Sequence, residues 1–489
     1  MVLNDILIYM LVFPIIGIIL IVFYNKNEIK LIKLTALNCT SLSFVCFLIL
    51  WLSFDKASFR FQFMNNFFLS PLFNINLIIG VDGISLFFLF LTTLLIPICI
   101  LSSWGSINNN LKEFLVAFLF LDFLLIFVFS VLDILLFYVF FETILIPMFL
   151  IIGVWGSRER KILAAYYFFL YTLIGSIVML LSVIYVFTQV GTTDYEILLT
   201  FSFTKIEQKL LWFAFFLSFS SKIPMIPLHL WLPEAHVEAP TAGSVLLAGV
   251  LLKLGSYGFI RFSLPLFPYG CFYFAPLVYI FVTIGVIYAS FTAIRQTDFK
   301  RIVAYTSIAH MNLVVLGIFS FNNSGVEGAV FQSLSHGFVA SGLFLIIGVV
   351  YERYKTRIVK YYGGLATVMP FYIFIFLFFT VANIAFPGTS SFVGEFLIFI
   401  GSFKINTIIT FLNAFSMVIG GAYSLWLFNR IAYGNLKTQY TKEFLDLNFR
   451  EFVCFIPLVF GSIVSGLYPN IFLNSMHFSV SFLIELIYF

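Results

Sequence analysis

Asp133-Ile-Leu-Leu-Phe-Tyr-Val-Phe-Phe-Glu142-Thr-Ile-Leu-Ile-Pro147-Met-Phe-Leu-Ile-Ile-Gly153 is a run of 21 residues with one charge in its interior. A bilayer core takes about 20 apolar residues per helix, so this run is long enough to cross one. It is one of about 14 such runs. They lie near 5–24, 34–54, 84–104, 113–131, 133–153, 162–188, 210–231, 240–262, 271–294, 301–321, 326–351, 370–403, 407–431 and 451–468. The residues from Pro469 onward fit either one more span or a tail lying on the surface.

Composition removes the soluble alternatives. Apolar residues are 62% of the chain and charged residues 10%. Ordinary globular proteins carry about 45–50% and about 25%. Too little charge remains to cover a water-facing surface, so lipid is the solvent for most of this sequence. The expected fold is an all-α polytopic membrane protein of about 14 transmembrane helices.

Several functions are excluded by what is missing. The five cysteines form no Cys-x-x-Cys pair, so zinc ribbons and iron–sulfur clusters find no ligand set. No glycine-rich nucleotide loop occurs. The absence of a basic stripe argues against a nucleic-acid partner. His229, Glu234, His236 and Glu238 are close together, but their spacing matches no standard metal motif and prolines flank them. They read as a polar loop. No cleavable leader is expected at the start, where the apolar run is too long for one.

Lys and Arg in the loops set orientation. Alternating the spans places 18 of them on one side, from Lys26 to Arg450. Six lie on the other: Lys56, Arg60, Lys205, Lys209, Arg261 and Lys404. Both termini are then expected on the non-cytoplasmic (or non-matrix) side. The alternation Phe59-Arg60-Phe61-Gln62-Phe63 in the long early loop predicts a short strand.

Two spans are interrupted. Ser221-Lys-Ile-Pro224-Met-Ile-Pro227 breaks span seven and Ala385-Phe-Pro387-Gly-Thr-Ser-Ser391 breaks span twelve. Pro224 and Pro387 are 163 residues apart, and nearly the same offset aligns Ala164-Ala-Tyr166 with Gly328-Ala-Val330. Transporters commonly contain inverted repeats with broken helices in matching places. The expected organisation is three N-terminal spans in 1–110 and a first five-helix repeat in 111–270. A second, inverted repeat follows in 271–432, and 433–489 holds a loop, span fourteen and the tail. Each proline leaves the carbonyl four residues earlier without its helical donor. The breaks are therefore where water is expected to enter the bundle.

A charge at mid-bilayer costs at least about 2.5–3.5 kcal/mol. This chain nevertheless carries Glu142 in span five, Lys222 in span seven, Lys253 in span eight and Glu395 in span twelve, with His310 in span ten and His336 in span eleven. Two acids and two bases on four helices exceed what packing needs and form a set of groups that can exchange protons. An opposite charge stabilises a buried Lys, so a Glu142–Lys222 contact would act as an electrostatic switch. Gln332, Ser333 and His336 share a face of span eleven. Asp122 in span four reads equally well as a structural bridge.

Pro227-Leu-His-Leu-Trp-Leu-Pro-Glu-Ala-His-Val-Glu-Ala-Pro-Thr-Ala-Gly-Ser-Val-Leu-Leu-Ala-Gly-Val-Leu-Leu-Lys253 resembles the signature of the antiporter-like membrane subunits of respiratory complex I. Ala304-Tyr-Thr-Ser-Ile-Ala-His310-Met311, Ser335-His336-Gly337 and Phe386-Pro-Gly-Thr-Ser-Ser-Phe-Val-Gly-Glu395-Phe396 belong to the same pattern. The resemblance runs over nearly the whole chain. Glu395 marks one branch, since sister subunits usually carry Lys there. The resemblance implies a proton-pumping subunit of the mitochondrial inner membrane, in a form similar to those of plants and protists. It implies that Glu142 and Lys222 are the switching pair and Lys253 the mid-channel relay. His310 and His336 would support the relay, and Glu395 would stand at the exit toward the intermembrane space. NADH, FMN, iron–sulfur clusters and ubiquinone would belong to other subunits, with no cofactor in this chain. Its partners would be the other membrane-arm subunits, including the sister antiporter-like subunits, and the lipid bilayer.

Overall fold

A computed structural model describes residues 5–70, 75–437, 439 and 445–488. Lys442, one of the cations used for orientation, lies outside the described residues. Helices α1 (Ile6–Phe23) and α2 (Ile29–Ser53) lead into an antiparallel hairpin, β1 (Gln62–Ser70) and β2 (Ile75–Val81). Then come α3 (Ser85–Ser102), α4 (Leu111–Ser130), α5 (Ile134–Thr143), α6 (Leu145–Trp155) and α7 (Lys161–Val190). Span seven is two pieces, α9 (Lys205–Lys222) and α10 (Trp231–Glu238), preceded by the short α8 (Tyr195–Thr200). Span eight is α11 (Thr241–Leu246), α12 (Lys253–Gly258) and α13 (Leu264–Leu266), joined by π-helical turns Leu247–Leu251 and Phe259–Ser263. The second half holds α14 (Pro268–Arg295), α15 (Phe299–Ile318), α16 (Asn323–Tyr354), the split pair α17 (Pro370–Asn383) and α18 (Ser390–Phe403), and α19 (Thr407–Ala432). The chain closes with α20 (Phe449–Leu467) and α21 (Asn470–Tyr488).

Among the described residues, 13 helices are long and apolar enough to cross a membrane. That figure omits the two split spans. It includes α21, whose contacts give it another role. Phe472 packs on Trp51 and Phe87, and Phe482 stacks on Phe59 at 4.5 Å. His477 meets Glu327 at 2.6 Å, and the Tyr488 hydroxyl donates to the Phe321 carbonyl at 3.1 Å. These partners all lie at or beside helix ends on one side. A helix about 28 Å long whose neighbours along its whole length are such ends lies across that face rather than through the bundle. Fourteen crossings remain, in agreement with the sequence.

The opposite face gathers the basic ends. Lys33 donates to the Trp104 carbonyl at 2.6 Å, and Arg353 pairs with Glu451 at 2.8 Å. Arg158 lies 3.9 Å from Asp298. Several cations assigned to loops by sequence are not in water: Arg261, Lys300 and Arg357 are all buried. Other elements hold them: Asp82 holds Arg261, the Ala239 carbonyl and Ser244 hold Lys300, and the Val237 carbonyl and Ser157 hold Arg357.

The strand begins later than the alternation suggested. Only Gln62 and Phe63 of that stretch belong to β1. Phe61 lies over the Arg261 guanidinium instead, 4.9 Å from ring to cation. The side chain that would have extended the alternation is drawn into that contact.

The proline breaks occur where the sequence put them. At the first, the Met225 amide donates to the Ser220 carbonyl at 3.2 Å and the Trp231 indole to the Ser221 carbonyl at 2.8 Å. The Asn312 amide reaches the Pro224 carbonyl at 3.4 Å. Protein donors meet these carbonyls, as a lipid solvent requires. At the second, Ala385 and Gly388 take φ of 61° and 96°, which turns the chain sharply between α17 and α18. Each broken span comes after the longest helix of its half, α7 with 30 residues and α16 with 32.

Candidate functional site

The six ionisable residues singled out by sequence form two clusters. Glu142 is at the end of α5, where the helix is interrupted at Ile144 before resuming at Leu145. Lys222 is the last residue of α9, immediately before the proline break. Its Nζ lies 4.0 Å from a Glu142 carboxylate oxygen, 3.4 Å from the Phe141 carbonyl and 4.3 Å from the centre of the Phe141 ring. The pair is in contact but loosely held. Both partners sit at helix breaks, so small backbone shifts can lengthen or close it.

The second cluster runs sideways from span eight. Lys253 is the first residue of α12, two residues past the π turn Leu247–Leu251. A π turn adds a residue per loop and rotates the side chains beyond it, and such turns recur at functional sites. The turn also admits a close approach. A Cβ on Gly249 would lie 2.3 Å from Leu95 and 2.8 Å from Ser341. Lys253 Nζ donates to the Ala248 carbonyl within its own helix, and it meets His336 Nδ1 at 2.8 Å. The His336 and His310 rings are 5.9 Å apart. His310 Nδ1 then lies 2.9 Å from the Glu395 carboxylate.

Gln332 completes this end. Its amide donates to Glu395 at 3.1 Å while its carbonyl oxygen accepts from Ser335 at 2.9 Å. Gly394 makes room, since a Cβ there would stand 2.5 Å from the Gln332 oxygen. Ser333 instead bonds within its helix, to the Ala329 carbonyl. A cavity of about 20 Å³ lies between His310, Glu395, Asn383 and Tyr423, at the break in span twelve. That is room for one water.

The structure thus joins Lys253, His336, His310 and Glu395 into one buried series, and Glu142 with Lys222 into a separate pair. Among the described residues no hydrogen bond joins the two. The α9 break does pack against α12, where a Cβ on Gly255 would meet the Ile223 amide at 3.1 Å. Asp122 stands apart from both clusters. It is fully buried, accepts one long bond from Ser43 at 3.4 Å, and belongs to the packing of α2 on α4.

Three groups of the basic face escaped the sequence reading. His236, grouped with a polar loop, is fully buried and stacks on Phe344 with ring centroids 4.6 Å apart. Glu238 is 1% exposed, with one carboxylate oxygen unpartnered. Lys300 donates to the Ala239 carbonyl at 2.8 Å and to Ser244 at 2.9 Å. A polar cleft of about 500 Å³ lined by Glu234, Glu238, Asp298 and Arg301 opens beside them. The clustering of acids and histidines was visible in sequence, but their burial was not.

Comparison with known proteins decides the family. A family model described as NADH:quinone oxidoreductase/Mrp antiporter, transmembrane, matches residues 131–420. The chain belongs to this family. Members similar to it include the NADH-ubiquinone oxidoreductase chain 4 of Arabidopsis thaliana, 54% identical over 472 residues, covering 96% of this chain and 95% of the relative. The chain 4 of Chondrus crispus is 55% identical over 474 residues, covering 97% and 96%. A chain in the structure of respiratory complex I from Thermus thermophilus with bound NADH superposes with a TM-score of 0.89 at 28% identity, covering 99% of both chains. The matched segment contains Glu142, Lys222, Lys253, His310, His336 and Glu395, so the whole candidate site falls inside the family's shared region.

Proposed function

We propose that this chain is a core membrane subunit of respiratory complex I that carries one proton-translocation channel, driven by electron transfer from NADH to quinone elsewhere in the complex. Its near full-length likeness to chain 4 proteins and to a chain of a complex I structure supports the membership. The observation that carries the channel is the buried contact series Lys253–His336–His310–Glu395. In it every member can both take and give a proton, as relays must.

Glu142 and Lys222 act as the switch. Closing their contact holds the Lys222 proton, and opening it releases that proton toward Lys253. Glu395 delivers protons toward the intermembrane space. The segments 111–270 and 271–432 act as two inverted halves around the α9–α10 and α17–α18 breaks, with 1–110 and 433–489 flanking them. The protein resides in the mitochondrial inner membrane with both termini toward the intermembrane space. Its partners are the other membrane-arm subunits, including the sister antiporter-like ones. The cofactors NADH, FMN, iron–sulfur clusters and ubiquinone belong to other subunits.

The test is Glu142→Gln in the assembled complex, reconstituted into vesicles. Proton pumping per electron should fall sharply while the complex still assembles. Normal pumping by the assembled variant would overturn the reading. Membership of the same family supports a cation/proton antiporter as the alternative. Sodium-dependent transport by the purified protein would favour it.

A further inference from the structure

Beyond Lys253 the span continues toward the non-basic face. Eight residues further along the same span lies Arg261, about 12 Å nearer the non-basic face. Lys253, Tyr257 and Arg261 are spaced i, i+4 and i+8, and the second π turn begins between the last two. Lys253 Nζ is turned to the Ala248 carbonyl and His336, and this line continues its helix outward. The contacts along it differ in kind.

Arg261 is 4% exposed and paired to Asp82, which also accepts the Ser85 amide at 2.9 Å. Its Nε donates to the Tyr257 hydroxyl at 3.3 Å. That hydroxyl donates in turn to the Phe129 carbonyl, also at 3.3 Å. The rings of Phe61 and Tyr195 cover the guanidinium at 4.9 and 5.7 Å. A hydrogen-bonded chain carries protons only if each member accepts one from behind and donates one ahead. Guanidinium has no acceptor and does not lose its proton in proteins. A backbone carbonyl has no proton to pass on. The Tyr257 oxygen is occupied by Arg261 and its proton is committed to Phe129. Both ends of this chain are therefore closed to relay, and a fixed cation stands across the line. Channels exclude protons with an Arg placed in this way.

We propose that Arg261, anchored by Asp82 and Tyr257, is a positioning residue that seals the direct outward route from Lys253, so that protons leave only sideways through His336, His310 and Glu395. The proposal rests on the channel reading above. Arg261 touches no reacting group; it acts by denying a path.

The experiment uses the whole complex in sealed vesicles with three variants. Arg261→Lys keeps the cation and the Asp82 partner but introduces a group that can titrate. Asp82→Asn combined with Arg261→Gln replaces the ion pair by a neutral one. Glu395→Gln is the control for the channel. Two quantities are read: protons pumped per electron, and the decay of an imposed pH gradient with no NADH present. The seal predicts that Arg261→Lys and the double variant oxidise NADH, pump fewer protons per electron and dissipate the gradient several-fold faster. A merely structural pair would leave the gradient decay of assembled complex unchanged. An assembled Arg261→Lys complex as tight and as well coupled as the parent overturns the seal, as does failure of both variants to assemble. Reduced pumping in Glu395→Gln with a tight Arg261→Lys sinks the seal alone. Unchanged pumping in Glu395→Gln sinks the channel reading beneath it.

Discussion

Lys253 is the residue on which the site turns, because it lies at a π turn, bonds its own backbone and meets His336. Lys253→Met keeps the volume and removes the proton carrier. Pumping by the assembled complex should drop by at least about a hundredfold, the scale on which a positioned proton-transfer group acts. Vesicle acidification driven by NADH oxidation measures it. All six ionisable residues were legible in the sequence because charge inside an apolar run is conspicuous. Their partners were legible only in part. Gln332 announced itself by sharing a helix face with His336, but that its amide would reach Glu395 depends on Gly394 bringing α18 against α16. Arg261 and Lys300 stayed hidden because they lie near span ends, where a cation in sequence looks the same whether it faces water or a carbonyl.

Helices show the same division. The breaks in spans seven and twelve arise from Pro224 and Pro387, since proline removes a donor wherever it stands. The π turns of span eight have no such local cause. Gly249 lies in the first of them, and it is Leu95 and Ser341 pressing on that glycine that make the close packing specific. The last helix is a stronger case. Its length and composition suit a crossing, and only its neighbours place it across the outer face. Gly83 holds it there, since a Cβ at that position would fall 2.2 Å from the Ser475 carbonyl oxygen. Gly83→Ala should lift α21 from the face and speed its cleavage by protease added from that side. A cleavage rate equal to the parent's would count against this docking.

The whole molecule is tied across its basic face by ion pairs between elements far apart in sequence. Arg353 and Glu451 are 98 residues apart, both nearly buried, and their bidentate contact at 2.8 and 3.2 Å joins α16 to α20. Removing one partner of such a buried pair strands the other charge and costs about 3–5 kcal/mol. Arg353→Ala should therefore lower the thermal stability of the subunit and its yield in the assembled complex, read by a melting curve and by native electrophoresis.

By itself the sequence determined that the chain lives in lipid, how often it crosses, where two crossings break and which charges lie inside. Each of these is a local property, fixed by apolar run length, by proline or by the cost of a charge among apolar neighbours. Only the tertiary structure decided which charges touch. It separated Glu142–Lys222 from the Lys253-to-Glu395 series, left Asp122 to packing, and set Arg261 against Asp82 across 179 residues. Such contacts depend on helix rotation and on the turns that re-aim a side chain, and no stretch of sequence encodes these apart from the helices packed around it.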